Sequence, residues 1–291
     1  MDRSVTLIVN PAAGAGRAAK RLPTAEAELA RLGIPVHREE TTSLDHAMEL
    51  ARAATEAGEA VFTLGGDGLV GAVAGALADT GTPLGVLPGG RGNDFARVLG
   101  IPGDPAEAVR ALAAAPERKL DLAEAGGRPF IGIASCGFDS VANRIANESR
   151  LVKGNLVYLY AALRAVATWT PARFELVLDG KVRVYTGWSV GACNSKAYGG
   201  GMYAAPNAEL DDGLLDVVVC ERTSRFNFVF RLLPRVFKGT HVDLPYVHEM
   251  RAREVRISAD RPFTLYADGD PVQDLPVTVR VRPGALTVLV P

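Results

Sequence analysis

The chain of 291 residues is 48% hydrophobic and 22% charged, which is the composition of one large or two ordinary globular domains. Its formal net charge of −1 gives no indication of a nucleic-acid partner. The three cysteines are scattered and form no CxxC pair, which predicts reduced cysteines. No apolar run reaches about 18 residues, so no transmembrane helix is expected. Since the N-terminus also has no signal-peptide pattern, we expect a soluble cytoplasmic protein.

Short apolar strands alternate with amphipathic helices through the first part of the chain. A long helix is predicted from about Ala18 to Leu32, and Thr42 or Ser43 is expected to cap a second helix that begins near Leu44. Strands and helices in this order predict a doubly wound parallel sheet, in which ligands bind at the carboxyl ends of the strands. The predicted strands are residues 5–9, 34–38, 61–64 and 84–87.

The third predicted strand runs directly into Gly65-Gly66-Asp67-Gly68, and a helix rich in small residues follows. Glycines allow a ligand to approach the backbone closely, and the free N–H groups at a helix N-terminus favour anions. The carboxylate of Asp67 stands where the magnesium ion of a nucleotide would bind. The pattern therefore predicts a phosphate site, with a tight strand-to-helix turn that binds nothing as the alternative.

The loops after the other predicted strands are expected at the same rim of the sheet. The first, residues 10–17, contains Gly14-Ala15-Gly16 but matches neither the dinucleotide motif GxGxxG nor a P-loop with its lysine. Residues 39–43 follow the second strand, and residues 88–97 follow the fourth. Four loops that converge on one rim indicate a binding site more strongly than any one of them alone.

From about residue 120 the pattern changes to strands joined by hairpin signals such as Gly126-Gly127 and Asp179-Gly180. We therefore expect an antiparallel β-sandwich or two-sheet domain, with a helical stretch over residues 140–168. The predicted domains are residues 1–119 and 120–291, and the last strand is allowed to return to the first domain. The predicted strands are residues 120–123, 129–134, 174–178, 182–185, 188–193, 215–220, 254–258, 263–267, 277–282 and 285–290.

Six stretches of the chain form a combined pattern: Asn10-Pro11 and residues 65–68, 88–97, 136–139, 207–216 and 268–270. In order and spacing they resemble the bacterial diacylglycerol kinase family of soluble lipid kinases, which is related to the sphingosine kinases. Gly-Gly-Asp-Gly by itself is shared with NAD kinases and phosphofructokinases, whereas the combination is specific. The resemblance implies an α/β nucleotide-binding domain like that of NAD kinase or phosphofructokinase, followed by a β-sandwich that supplies the lipid site.

The same resemblance implies an enzyme that uses ATP and Mg²⁺ to phosphorylate a hydroxyl of a diacylglycerol-like or sphingoid lipid. Its implied general base is Asp268 or Asp270, although Asp268-Gly269 is also a common hairpin turn. An implied structural magnesium ion is bound by Asp212 and by the backbone carbonyls of Glu209 and Leu214. The implied nucleotide-binding residues are Asn10, Pro11, Ala12, Ala13, Gly14, Thr41, Gly65, Gly66, Asp67, Gly68, Leu69, Gly71, Gly90, Arg91, Asn93 and Asp94.

The residues fit phosphoryl transfer, which requires backbone donors, a magnesium ion and a carboxylate that accepts the hydroxyl proton. Three of them depart from the family pattern: Leu69 and Arg91 stand where the family has threonines, and Asp270 stands where it has a glutamate. The guanidinium of Arg91 could make a charge-assisted contact in place of a lost hydroxyl. Two alternatives stay open, an NAD kinase-like enzyme and a lipid- or nucleotide-binding protein that has lost catalysis.

Residues 225–238 have the pattern of a basic amphipathic helix, a type that can lie on an anionic bilayer. A core-packing helix with solvated arginines and a kink at Pro234 is the favoured interpretation. One side of the predicted helix carries Phe226, Phe230, Leu233 and Phe237.

Two other stretches also have alternative interpretations. Residues 151–169 could line an acyl-chain pocket, although a stripe of this kind is more often core. The glycine loop at residues 198–202 either borders the cleft between the domains or only connects strands. The expected partner is a lipid substrate. Transient contact with a membrane surface and formation of a homodimer both stay open.

Overall fold

A computed structural model describes residues 3–138, 140, 141, 145 and 164–291. Its N-terminal part contains a parallel sheet in the order β4–β3–β1–β2, whose strands are connected by helices. The predicted parallel α/β architecture is therefore confirmed. Its elements are β1 (Val5–Val9), α1 (Ala13–Arg31), β2 (Val36–Glu40), α2 (Leu44–Glu56), β3 (Ala60–Gly65), α3 (Asp67–Leu77), β4 (Leu84–Pro88), α4 (Asp94–Val98) and α5 (Pro105–Ala114).

The central strands of this sheet are apolar because they are covered on both faces. Every residue of β1, β3 and β4 is buried, as expected for parallel strands between helices. The edge strand β2 begins at Val36, two residues later than predicted, because Pro35 has no N–H group to join the ladder. Helix α2 begins as predicted, with the Ser43 hydroxyl oxygen accepting a hydrogen bond of 3.1 Å from the backbone of His46.

Helix α1 opens with a loop rather than with a regular turn. Gly14, Ala15 and Gly16 have φ angles of +61°, +60° and +85°, so right-handed helix begins only at Arg17, close to the predicted start at Ala18. Left-handed geometry at three consecutive residues turns the chain sharply after β1. The glycines are therefore needed at the rim of the sheet, where the chain leaves the strand.

The C-terminal part consists of antiparallel strands in the order β16–β15–β7–β9–β8–β14–β17, with β12 and β13 beyond β9. The predicted antiparallel β domain is confirmed. Strands β10, β11, β13 and β16 were not predicted; β13 alternates too weakly in burial to give a clear pattern. The elements are β5 (Glu117–Ala125), β6 (Arg128–Phe130), β7 (Ile133–Gly137), β8 (Ala172–Leu178), β9 (Lys181–Cys193), β10 (Ala197–Tyr198), β11 (Met202–Tyr203), β12 (Leu215–Glu221), β13 (Val247–Ala252), β14 (Glu254–Ala259), β15 (Thr264–Ala267), β16 (Asp270–Asp274) and β17 (Val277–Leu289).

Two long strands each replace a predicted pair. Strand β9 runs without a break through residues 186–187, which separate two predicted strands. Strand β17 continues from residues 277–282 into 285–290 through an irregularity in its ladder with β5 around Pro283 and Gly284. In both cases a local bend keeps the pairing, so turn residues in the sequence do not end the strand.

Strand β17 joins the two parts of the molecule. It pairs with β14 and β5 in antiparallel ladders and then lies parallel to β4, where Val288 faces Leu84. Among the described residues, the result is one continuous sheet of 15 strands, with one core packed on β1, β3 and β4 and a second core around Trp188 and Phe174. The predicted boundary between residues 119 and 120 falls inside β5 and stays a prediction.

Between β12 and β13, three short helical pieces run head to tail, and we call them together α6. They are Arg225–Asn227, a π-helical turn at Phe228–Leu232, and Leu233–Val236; a 3₁₀ turn at Thr240–Asp243 follows. The predicted helical stretch at residues 140–168 and the acyl-pocket interpretation of residues 151–169 lie largely outside the described residues. No helix in the described ranges combines the length and the hydropathy needed to cross a bilayer.

Candidate active site

The loops that follow β3 and β4 pack against each other at the carboxyl edge of the parallel sheet. The N–H group of Gly89 donates a hydrogen bond of 2.8 Å to the carbonyl of Gly65. A Cβ atom at Gly90 would lie 2.4 Å from the Cα atom of Gly66. The two loops thus approach each other at a distance that only glycine at residue 90 allows.

The loop after β1 completes this rim. The Asn10 side chain folds back on the loop, because its Oδ1 atom accepts a hydrogen bond of 3.1 Å from the N–H group of Ala12. A Cβ atom at Gly14 would lie 2.6 Å from the carbonyl oxygen of Gly89. Residues 10–14, all predicted to bind a nucleotide, therefore lie beside the loop that follows β4.

Two arginines in the first turns of α1 brace the loop after β4 and were not predicted. Arg17 donates a hydrogen bond of 2.8 Å to the carbonyl of Gly90, and Arg21 donates to the carbonyl of Pro88. Hydrogen bonds from charged donors are stronger than neutral ones, so they hold the loops together. Their position directly after a glycine loop is the signal that could have identified them.

Several other predicted binding residues have local structural partners. The Thr41 hydroxyl donates a hydrogen bond of 2.5 Å to the carbonyl of Ser43. Asn93 closes its loop with two bonds to Gly90, of 2.7 Å to its N–H group and 3.1 Å to its carbonyl. Leu69 is buried and packs on Gly65, whereas Arg91 is exposed at the loop surface. At residue 69, where the family has a threonine hydroxyl, this chain therefore has a leucine that packs into the core. At residue 91 it has an exposed guanidinium group.

We expect the variant Gly90→Ala to be less stable by about 1–3 kcal/mol, because the added methyl group has no room beside the Gly66 backbone. Chemical denaturation would measure the change in the free energy of unfolding. Gly103→Ala is the matched control, since a Cβ atom at Gly103 meets nothing within 4 Å. An equal change in both variants would contradict the close approach of the two loops.

Asp67 and Asp94 face each other across Gly92. A Cβ atom at Gly92 would lie 3.0 Å from the Oδ2 atoms of both carboxylates. Asp67 Oδ1 accepts a hydrogen bond of 3.2 Å from the N–H group of Phe95, and Asp94 Oδ2 accepts one of 2.8 Å from the N–H group of Gly200. The glycine loop at residues 198–202 therefore borders this site.

The electrostatics of this carboxylate pair favour a bound cation. Asp94 Oδ1 is buried without a hydrogen-bond partner among the described residues, and Nε of Arg97 lies 4.0 Å from it. Burial raises the pKa of Asp67, and the negative charge of Asp94 raises it further, while backbone N–H groups oppose this shift. Two close carboxylates with an unused buried oxygen are suited to a magnesium ion, which binds through one or two carboxylates and phosphate oxygens.

Asp268 projects from the turn between β15 and β16 towards helix α3 of the other domain. Its carboxylate accepts hydrogen bonds of 3.0 Å from the backbone N–H groups of Ile131, Gly132 and Ile133. A Cβ atom at Gly71 of α3 would lie 3.5 Å from Asp268 Oδ2. The base predicted on the C-terminal domain therefore lies against the helix that begins at Asp67.

The pKa of Asp268 is raised to about 6, mainly because burial disfavours the charged form. The charge of Asp67 also raises it, whereas the three backbone N–H groups lower it. Asp67 and Asp268 thus influence each other across the domain junction. A carboxylate with a pKa near neutrality can accept a proton at physiological pH.

Asp270, the other predicted base, is paired with a cation. Its Oδ2 atom lies 2.9 Å from Nη2 of Arg128, and its side chain is half exposed. Arg128 also donates to the carbonyl of Pro271, at 3.1 Å, so the pair fastens β16 to β6. The hydrogen bonds therefore direct Asp268 towards α3 and Asp270 towards Arg128.

The predicted structural magnesium site lies in the turn before β12. Asp212 Oδ1 accepts a hydrogen bond of 3.0 Å from the N–H group of Leu214, and Asp212 Oδ2 is bonded to the guanidinium of Arg251. Within the described part of the chain, no group of three or more Asp, Glu, His or Cys side chains is arranged to hold a metal ion. A cation from the protein itself thus neutralises Asp212.

Asp121, which was not predicted, holds this turn in place. Its Oδ2 atom accepts a hydrogen bond of 2.7 Å from the N–H group of Gly213, and its Oδ1 atom accepts one of 2.8 Å from the N–H group of Gly284 on β17. Burial raises the pKa of this carboxyl, although both N–H groups oppose the shift. The sequence around Asp121 did not indicate this role, because Asp121 lies in a predicted strand and its partner Gly213 is almost a hundred residues away.

Two family models match consecutive parts of the chain. The diacylglycerol kinase catalytic domain matches residues 4–125, and the YegS C-terminal NAD kinase beta sandwich-like domain matches residues 132–290. Together they leave only the six residues between them and the extreme ends unmatched. Both models agree with the order of the two folds described above.

Similar proteins cover most of the chain. A diacylglycerol kinase of Mycobacterium tuberculosis is 36% identical over 99% of this chain and 95% of its own length. A probable YegS-like lipid kinase of Pseudomonas fluorescens is 35% identical over 78% of this chain and 76% of its own length. The crystal structure of a putative diacylglycerol kinase from Bacillus anthracis matches the fold with a TM-score of 0.83, 24% identity and coverage of 99% of this chain and 95% of that one.

Proposed function

Since the chain belongs to the diacylglycerol kinase family of lipid kinases, we propose that it transfers the γ-phosphoryl group of ATP, bound with Mg²⁺, to a hydroxyl of a diacylglycerol-like or sphingoid lipid. The observation that carries this proposal is the position of Asp67 at the junction of the two domains, where its charge acts on Asp94 on one side and on Asp268 on the other. Two of these carboxylates follow the glycine loops of the α/β domain, and the third comes from the β domain. A phosphate donor and a hydroxyl acceptor can therefore approach from opposite domains.

Asp67 and Asp94 are the residues that would hold the magnesium ion of the nucleotide. The unpartnered buried Oδ1 atom of Asp94 and the Oδ2 atoms of both carboxylates, which lie close to Gly92, suit such an ion. When bound, it would neutralise the charge of the phosphates. The protein itself would position the phosphates. Arg17 and the glycine loops hold the rim of the sheet in a fixed shape, and the backbone N–H groups of this rim would bind the phosphate oxygens.

Asp268 is proposed as the general base. Its three backbone hydrogen bonds orient the carboxylate, and its raised pKa of about 6 suits the removal of a proton from a lipid hydroxyl. The proton would leave the acceptor oxygen as that oxygen forms its bond to the γ-phosphorus, and ADP would depart with the electron pair of the broken P–O bond.

The structural magnesium ion at Asp212, Glu209 and Leu214 also remains a proposal. The family resemblance supports it, but the bond between Asp212 and Arg251 opposes it, because the guanidinium already neutralises this carboxylate. We therefore assign no step of the reaction to this site.

The decisive experiment is transfer of labelled phosphate from [γ-³²P]ATP·Mg to diacylglycerol, sphingosine, ceramide and phosphatidylglycerol in mixed micelles, with NAD as a soluble acceptor. We expect label on one of the lipids. Label on NAD alone would establish the NAD kinase-like alternative instead. ATP binding without any labelled product would establish a protein that has lost catalysis, and Leu69, Arg91 and Asp270 would then be the first positions to revert to the family pattern.

A further inference from the structure

Helix α6 and the residue that caps its C-terminus present three phenylalanines to solvent. Phe226, Phe230 and Phe237 are 62%, 65% and 61% exposed, which makes them the most exposed large hydrophobic side chains of the described residues. The rings of Phe226 and Phe230 lie in contact, with centroids 4.9 Å apart. We call these three residues the phenylalanine face. Clustered exposed aromatics on one element mark an interaction surface, whereas a single one would not.

The core-packing interpretation of this helix is wrong for these three residues. Phe228, Leu232 and Val236 pack into the core of the C-terminal domain instead. The buried residues recur every fourth position and form the opposite side of the helix from Phe226 and Phe230. The inner residues therefore make the core contacts of α6, and the phenylalanine face is left open to solvent.

The same segment is positively charged. Residues 225–238 contain four basic residues and no acidic one. Arg231, Arg235 and Lys238 are exposed beside the phenylalanine face, and Arg225 at its start donates to the carbonyl of Trp169 at 3.2 Å. An apolar row bordered by cations complements the boundary between acyl chains and anionic headgroups.

The inner side of α6 is connected to the proposed base. Phe228 contacts Trp188 and Phe138, with ring centroids 3.9 and 4.8 Å apart. Phe138 directly follows β7, and Ile133 at the other end of this strand donates to Asp268. The strand spans roughly 17 Å, so the inner side of α6 and the proposed base lie at opposite ends of the same strand.

We propose that α6 docks the protein on an anionic membrane surface, with the phenylalanine face inserted at the headgroup–acyl boundary and Arg231, Arg235 and Lys238 on the headgroups. Docking would bring the protein to the surface that contains its lipid substrate, a statement that rests on the proposed function. The docking itself requires no catalysis. It is reversible, because three partly inserted rings and three charges bind far more weakly than a spanning helix.

The test is sedimentation of the full-length protein with vesicles of phosphatidylcholine alone and of phosphatidylcholine mixed equally with phosphatidylglycerol. We expect binding to the anionic vesicles only, weakened by salt. The triple variant F226S/F230S/F237S should lower the partition coefficient by at least about tenfold. The triple variant R231Q/R235Q/K238Q should lower it by about fivefold for each charge removed.

The control V182S/V184S replaces two other exposed apolar residues, on β9, and should bind vesicles normally. In the single variant Phe230→Trp, brominated lipids should quench the fluorescence of the new indole, which reports insertion at this residue. Equal binding of the phenylalanine variant and the wild type would overturn the proposal. A variant that changes the oligomeric state but not vesicle binding would also overturn it and would assign the face to a second copy of the chain.

The outcomes separate docking from catalysis. Vesicle binding that persists while no lipid is labelled would leave the docking surface intact and reject the kinase proposal. Phosphorylation of a short-chain, water-soluble lipid should be unchanged in the phenylalanine variant, because these residues lie outside the carboxylate site. Loss of that activity would show that the face acts on the site rather than on the membrane.

Discussion

The variant Asp268→Asn is expected to lose between about 10²- and 10⁴-fold in kcat, because an amide cannot accept the proton of the lipid hydroxyl. Initial rates with the lipid acceptor identified by phosphate transfer would measure the loss. The affinity for ATP should change little, since the carboxylate lies on the β domain and its hydrogen bonds are to residues 131–133. A loss confined to ATP binding would contradict the assigned role.

The pH dependence of the wild type gives an independent test of the same role. The base must be ionised, and the pKa of Asp268 is about 6 in the absence of a bound cation. We therefore expect kcat/KM to fall tenfold for each pH unit below about 6. The residual activity of Asp268→Asn should not show this dependence. Stable activity down to pH 4 would exclude Asp268 as the base.

The asparagine variant also has a structural consequence that must be separated from catalysis. Asp268 Oδ2 accepts from the N–H group of Ile131, and an amide nitrogen in that position would place two donors face to face. We expect the free energy of unfolding to fall by about 1–3 kcal/mol, which a melting curve would detect without abolishing the fold.

Asp270→Asn is the matched comparison, because it removes the other predicted carboxylate by the same change. Since Asp270 is half exposed and paired with Arg128, we expect a loss of activity below about tenfold. The assignment of Asp268 as the base would be reversed by two results together. Asp270→Asn would have to lose as much activity as is expected for Asp268→Asn, and its activity would no longer fall at low pH. Asp268 would then be a positioning residue that fixes residues 131–133 against α3.

The features of the site that could be predicted from the sequence are those that depend on local chemistry. Gly65, Gly66 and Asp67 follow a buried strand and precede a helix, and this order alone placed them at the rim of the sheet. The cap at Ser43 is equally local, because its partner His46 is three residues away. Local signals of this kind need no knowledge of which strands pair.

Features that depend on distant partners could not be predicted. Asp121 holds Gly213 and Gly284, and Arg251 neutralises Asp212, through contacts that only the sheet topology creates. The sequence pattern also could not show which side of α6 faces solvent. Regular helical spacing puts Leu233 on the same side as the phenylalanines, whereas in the structure Leu233 is partly buried against the core of the C-terminal domain. Long-range pairing and local departures from regular spacing are therefore what the structure adds.

The second large effect is expected at the carboxylate pair, where Asp94→Asn should raise the magnesium concentration for half-maximal activity by at least about tenfold. The change is nearly isosteric: the amide oxygen can still accept from Gly200, and the amide nitrogen takes the position of the unpartnered Oδ1 atom.

This substitution separates charge from structure, because it halves the negative charge of the pair while keeping the only hydrogen bond that Asp94 makes to the loop at residues 198–202 within the described residues. Binding of Mn²⁺ in the presence of ADP, followed by electron paramagnetic resonance, provides a readout that does not depend on turnover. Asp243→Asn, an exposed aspartate on the 3₁₀ turn after α6, is the control and should bind Mn²⁺ normally. If Asp94→Asn also binds Mn²⁺ normally, the pair does not hold the metal, and the buried oxygen of Asp94 serves the loops alone.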